Sequence, residues 1–227
     1  MKSKSHHKCP ICFTTNQPRV GNFFSCTKCK ALYTFPIKSK DYTTGYWDAF
    51  YNTCQVNKSK IDFFKHIIDS NKEVFSDTIL DVGAGHGYFI KALGREIIGV
   101  DNNLSAINRA YLDYNVKIDE FDVEDPFAMI RNKDAIRVKT VCLHHTLECL
   151  RTPVQTLKYL MNFSEKYVHI IAQRPTAQAI VDFNFCLYNK ETIEILAEKV
   201  GGKIVKFEEK DDSNWRSWHR IEVVLSK

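Results

Sequence analysis

Apolar positions recur along the chain at two periods, and the change between them outlines the architecture. In "KSKIDFFKHIIDSNKEVF", Ile61, Phe64, Ile67 and Ile68 fall at helical intervals. Beyond a turn-like Ser-Asp, short apolar runs alternate with helical stretches. Strands are expected at "TILDV", "EIIGVD", "NVKIDEF", "RVKTVCL" and "KYVHIIA". Helices are expected from Gly87 to Leu93, Leu104 to Tyr114, Pro153 to Asn162 and Lys190 to Val200. Two further apolar runs, "GKIVKFE" and "HRIEVVLS", close the chain. Such alternation predicts an α/β fold with a Rossmann-like, doubly wound, mainly parallel sheet covered by helices.

The first forty residues do not share this pattern. They hold two cysteine pairs, Cys9-x2-Cys12 and Cys26-x2-Cys29, with thirteen residues between them. Each tight turn can present two thiolates to one ion, so the quartet predicts a small structural zinc ribbon. Paired redox thiols are the alternative, while two disulfides would need an oxidising compartment that nothing in the sequence implies. Cys54, Cys142, Cys149 and Cys186 are scattered singly. Charge divides at the same place: residues 1–40 carry eight Lys or Arg and no acid, a formal +8. The remainder sets 24 basic residues against 27 acids, a formal −3. A zinc-ribbon module over 1–40, an aromatic connector and helix over 41–76 that either forms a lid or packs, and a larger domain over 77–227 are therefore expected. A solvated basic arm is the plainer reading of the charge alone.

Composition narrows the class further. Apolar residues make up 44% and charged residues 26% of the 227 positions, the balance of an ordinary soluble protein. No apolar run approaches a membrane-spanning length, and "MKSKSHHKCPIC" lacks the apolar stretch of a secretory signal. A cytoplasmic setting without membrane contact is the expectation.

The chemistry concentrates at the predicted strand ends. "ILDVGAGHGYF" is strand, glycine turn and helix start; Gly83, Gly85 and Gly87 permit a backbone approach that side chains would block. Tyr88 stands where the dinucleotide fingerprint has its third glycine, and no Gly-Lys-Ser/Thr follows to make a phosphate loop. Asp81 precedes the glycines, Asp101 ends the next strand, and Asp122 with the Val123 backbone follows the third. Ligands in doubly wound sheets bind outside these carboxyl ends, where Asp101 can accept from both ribose hydroxyls of a nucleoside.

With "LDVGAGHGYF", "GVDNNLSAINRA", "FDVEDPF", "HHTLECLRTP" and "YNKETIEILAEKVGGKIV" in order, residues 58–207 resemble the class I S-adenosylmethionine (SAM)-dependent methyltransferases. The resemblance implies that Gly83, Gly85 and Gly87 bound the methionine part of SAM. It also implies that Asp101, with Asn102 beside it, holds the ribose, and that Asp122 accepts from the adenine amino group with the Val123 backbone facing the ring. Asp81 joins this cofactor set, or is simply a hydrogen-bonded strand-end acid. Together with "CPIC", "CTKC", "ALYTFP" and "YTTGYWDAFY", the chain is similar to a zinc-ribbon subgroup linked to sugar and glycan modification. Members of that subgroup acting on nucleotide-linked sugars place His, Glu and Tyr side chains near the methyl donor.

The stretch "VCLHHTLECLRTP" supplies the candidate base. Its strand should end near Leu143, leaving His144 and His145 at the mouth of the site, and His145 and Glu148 share a face if the loop turns helical. Where the family often reads H-x-L-E-H-L, this chain has Cys149 in place of the second histidine. His145 as base or substrate-orienting residue, with Glu148 in support, stands beside a purely structural role for the loop. A second metal site from His144, His145, Glu148 and Cys149 lacks a matching cluster elsewhere. Tyr42, Tyr46, Trp47 and Tyr51 either form a lid or pack as a helix face, and "NWRSWHR" either grips a phosphorylated substrate or forms a strand edge.

These features predict a methyltransferase for a small, anionic acceptor such as a nucleotide-linked sugar, by O- or C-methylation. A nucleic-acid methyltransferase gripping RNA or DNA through the basic ribbon is the second reading, although the chain has neither an Asn/Asp-Pro-Pro-Tyr/Phe stretch nor a Pro-Cys nucleophile. A non-catalytic SAM-binding scaffold is the third.

Overall fold

The computed structural model describes residues 8–15, 17–21, 23–35, 56–125, 136–175, 185–212 and 218–227. The aromatic connector with Tyr42, Tyr46, Trp47, Tyr51 and Cys54 lies outside the described residues, as do Trp215 and Arg216. The chain divides into two compact units: Lys40–His144 with Asn162–Val168, and Met1–Ser39 with His145–Met161 and His169–Lys227.

The first unit is built on parallel strands β4 (Ile79–Val82), β5 (Ile98–Asp101), β6 (Asp119–Glu120) and β7 (Val138–His144). They lie in the order β7-β4-β5-β6, with Asp81 opposite Cys142 on one side and Gly99 on the other. The β4 residues are all buried, as expected of a central strand covered on both faces. Helix α1 (Val56–Ser70) turns Phe64 and Ile67 inward, and Phe64 meets Phe89 of α2 (Tyr88–Leu93) edge-on at 5.6 Å. Helix α3 (Leu104–Tyr114) starts at Asn103, whose side chain accepts from the Ser105 and Ala106 amides. It stops at Asn115, in the left-handed conformation.

The third strand is shorter than its apolar pattern suggests. Val116 and Ile118 instead fill a cluster with Ile90 and Ala110, and only Asp119 and Glu120 pair with β5. Gly94 ends α2 in the left-handed region, and a side chain at Gly99 would strike Ile90 at 2.6 Å.

In the second unit, β1 (Arg19–Val20), β2 (Phe23–Ser25) and β3 (Leu32–Tyr33) form an antiparallel ribbon around the cysteine pairs. A fourth strand, β9 (Cys186–Leu187), joins this sheet from far along the chain and pairs with β3. The boundaries between the units fall within helix α4 (Pro153–Phe163) and strand β8 (Ser164–Gln173). Helix α5 (Lys190–Val200) is capped by Asn189 and closed by Gly201. The last strands, β10 (Lys203–Asp212) and β11 (Trp218–Ser226), pair antiparallel, with the order β10-β11-β8. The tail, which matches none of the quoted motifs, is thus a sheet hairpin. The fold class is the expected one: α/β with a mostly parallel sheet and a cysteine-rich ribbon.

Candidate functional site

At the carboxyl end of β4 the chain turns sharply through Gly83, Gly85 and Gly87, whose φ angles of 73°, 54° and 70° are all left-handed. The Gly83 and Ala84 amides both donate to the Val100 carbonyl, tying the turn to β5. A side chain at Gly87 would lie 2.8 Å from Val116, whereas the space beside Gly85 is open. The first glycine condition is packing; the second leaves room for a ligand.

Asp101 anchors the opposite wall. Its Oδ2 accepts from the Gly85 amide and its Oδ1 from the Asn103 amide, each at 2.8 Å. These bonds fix the plane of the carboxylate. Burial raises the Asp101 pKa, opposed by the Asn103, Gly85 and Asn102 amides. Asn102 is exposed beside it. Past β6, exposed Asp122 accepts from the Glu124 amide at 2.9 Å, and Val123 is buried.

Asp81 lies on β4, ahead of the turn in the chain. It is buried, and burial first, then the charge of Asp101, pushes its pKa up to about 8. His144, at the end of β7, stands 4.0 Å from it, with its ring among Phe64, Phe75 and Phe89. The expectation that His144 opens onto the site gives way to a buried packing position. Nearly all of β7 is buried, and its last residue packs its ring against the aromatic neighbours.

Sequence reading overlooked His86 and Lys60. His86 is buried between two of the glycines, with Nδ1 3.5 Å from the Tyr88 hydroxyl, and the Lys60 ammonium lies 5.1 Å from the Tyr88 ring centre. The imidazole inside a glycine turn was the available signal; Lys60, on a helix face of mixed character, offered none.

In the second unit His145 adopts φ of 57°, unusual for a residue with a β-carbon. Its amide donates to the Ile171 carbonyl at 2.7 Å. Leu147–Cys149 forms a single 3-10 turn, which places the Glu148 carboxylate 3.0 Å from His145 Nδ1. Glu148 is buried while a quarter of the His145 side chain is exposed (26%); the acid holds Nδ1, and Nε2 is itself buried. A buried carboxylate hydrogen-bonded to one ring nitrogen fixes the orientation of the imidazole. Cys149 directs its thiol toward the His145 carbonyl at 3.8 Å.

The four ribbon cysteines converge. Their sulfurs all lie within 4.8 Å of one another, with Cys9–Cys29 at 3.5 Å and Cys12–Cys26 at 3.3 Å. Zinc–sulfur bonds of about 2.3 Å put tetrahedral sulfurs roughly 3.8 Å apart, so the quartet has the right size for one zinc ion. The two knuckles repeat one geometry: Phe13 and Lys30 are left-handed at equivalent positions, and their amides close the turns on Cys9 and Cys26. The hydrogen bond from Cys29 holds the Cys9 thiol down at about 5. Among the described residues no second group of His, Cys, Asp or Glu is placed to hold a metal ion. No helix among them is long and apolar enough to cross a membrane.

No protein-family model and no curated protein matches the chain. Solved structures do. A SAM-dependent methyltransferase from Archaeoglobus fulgidus is 20% identical with a TM-score of 0.59, over 81% of this chain and all of that one. Magnesium protoporphyrin IX methyltransferase from Synechocystis, with bound SAH, is 11% identical with a TM-score of 0.58, over 82% of this chain and 90% of that one. A methyltransferase in complex with the Haloferax volcanii Trm112 methyltransferase activator is 14% identical with a TM-score of 0.60, over 81% and 98%. The chain has the fold of the SAM-dependent class I methyltransferases.

Proposed function

We propose that the protein is a SAM-dependent methyltransferase for a small, anionic acceptor such as a nucleotide-linked sugar, and that its ribbon holds one zinc ion. The observation that carries the SAM reading is the Asp101 carboxylate, clamped by the Gly85 and Asn103 amides at a strand end beside left-handed glycines. When bound, SAM supplies a methyl group on a positively charged sulfur. Asp101 accepts from the ribose hydroxyls, Gly83, Gly85 and Gly87 bound the methionine part, and Asp122 with Val123 takes the adenine. Asp81 supports this wall from β4.

A hydroxyl or carbon acid must lose a proton as it attacks, and His145 takes it. Glu148, held 3.0 Å from Nδ1, keeps the ring oriented. Zinc on Cys9, Cys12, Cys26 and Cys29 is structural, and a reducing, cytoplasmic setting suits four thiolates. The anionic, sugar-linked acceptor rests on the resemblance in the sequence.

Transfer of labelled methyl from SAM to a panel of nucleotide-linked sugars tests this reading, with RNA and DNA alongside. Label in a sugar nucleotide, lost in His145→Ala, is the expected result. Label only in nucleic acid, with steeply salt-dependent binding, would replace the acceptor class.

A further inference from the structure

The ribbon is joined to the His145–Glu148 loop through one short segment. Residues 185–192 touch the metal knuckle at one end. The Thr192 hydroxyl donates to the Cys29 carbonyl at 2.7 Å, and the Asn189 amide group donates to the Lys30 carbonyl at 3.3 Å. Asn189 also caps α5 by accepting from the Thr192 amide at 2.9 Å, so one side chain serves knuckle and helix together. In the middle, Cys186 and Leu187 pair with Tyr33 and Leu32, and the Thr34 amide donates to the Phe185 carbonyl at 3.0 Å.

The same segment holds the loop. The Phe185 amide donates to the Glu148 carbonyl at 2.7 Å, and the Tyr188 hydroxyl donates to the Leu147 carbonyl at 3.1 Å. Cys186, Leu187 and Tyr188 are fully buried. A two-residue strand is too short to persist by its own pairing. Its order must come from the elements on either side, one of which is a turn fixed by metal.

We infer that the zinc knuckle is a buttress for the His145–Glu148 loop, with Thr192, Asn189 and Tyr188 as positioning residues that carry metal occupancy to the Glu148 backbone. The chain of contacts is contiguous: sulfur ligand Cys29, its carbonyl, Thr192, Asn189, Tyr188, then Leu147 and Glu148. Loss of metal frees the knuckle, β9 loses its pairing partner, and the Leu147 and Glu148 carbonyls lose the two donors that hold them. The ribbon thereby gains a role at the reaction without touching substrate. This inference rests on the proposed role of His145 for its catalytic meaning, though not for the structural coupling itself.

Amide exchange on the full, reduced chain, with zinc bound and after chelation, tests the coupling directly. Exchange in 145–150 and at Phe185 should accelerate at least tenfold on zinc removal and recover on zinc addition. The 83–87 turn and SAM affinity should stay within twofold. Faster exchange in 9–33 alone, with 145–150 unchanged, would overturn the inference.

Chelation could unfold more than the ribbon, so Tyr188→Phe with zinc bound gives a second measurement. It should keep one zinc per chain, speed exchange at Leu147–Leu150 at least threefold, and lower kcat about tenfold with KM for SAM within twofold. Unchanged exchange in this variant would also overturn the coupling. Faster exchange with unchanged kcat would retain the structural coupling and overturn the ribbon's role at the reaction.

Discussion

At the scale of single residues, adjacent histidines take different jobs. His144 is packed among phenylalanine rings beside Asp81, whereas His145 leaves the strand in a left-handed conformation and meets Glu148. Replacing His145 with Ala should lower kcat by roughly 10²–10⁴-fold, the usual reach of general-base catalysis, with SAM affinity nearly unchanged. Stopped-time assays with labelled SAM measure this, and a fully active variant would rule out His145 as the base. Asp81 gives a prediction in pH. The unfolded chain ionises this carboxyl near 3.8, whereas the fold keeps it protonated up to about 8. Between those values the folded state binds the extra proton, so this group's contribution to stability falls as pH rises through the window and then levels off. Asp81→Asn cannot ionise, and should flatten the decline in ligand-free Tm between about pH 5 and pH 8. An unchanged slope would mean that Asp81 is already ionised in the fold.

At the scale of elements, strand ends and caps place the chemistry. The glycine turn works because Gly87 packs against Val116 while Gly85 leaves space open. Gly87→Ala combines left-handed strain with that close approach and should cost about 1–3 kcal/mol, read as a lower Tm. Unaltered stability would show that Val116 yields freely. Helix starts at Pro153 and Lys190 and the glycine turn were legible in the sequence, because capping and turn chemistry are local. The 3-10 turn that joins His145 to Glu148 was legible as a spacing of three. Pairing of Leu32 and Tyr33 with Leu187 and Cys186 was not: two-residue strands carry no period, and their partners are more than 150 positions apart. Cys186 therefore looked like one more scattered cysteine, although it is buried in the ribbon's own sheet. Val116 and Ile118 had the pattern of a strand but serve a helix-side cluster, since apolar burial does not require ladder bonds.

At the scale of the whole molecule, the parallel order of β7-β4-β5-β6 follows from strand–helix alternation, and the cysteine quartet from its paired spacing. Zinc binding should supply much of the ribbon's folding free energy, because so short a segment has little core. Elemental analysis of freshly purified protein should find about one zinc per chain, and a metal-free, equally stable protein would remove the ribbon's metal role. The claim on which the rest depends is that the Asp101 wall binds SAM. Isothermal titration of the zinc-bound chain with SAM should show one site, weakened at least tenfold in Asp101→Ala, as expected when charge-assisted hydrogen bonds worth about 1.5–3 kcal/mol are lost. No binding of SAM to the unaltered chain, or equal affinity in the variant, would contradict it.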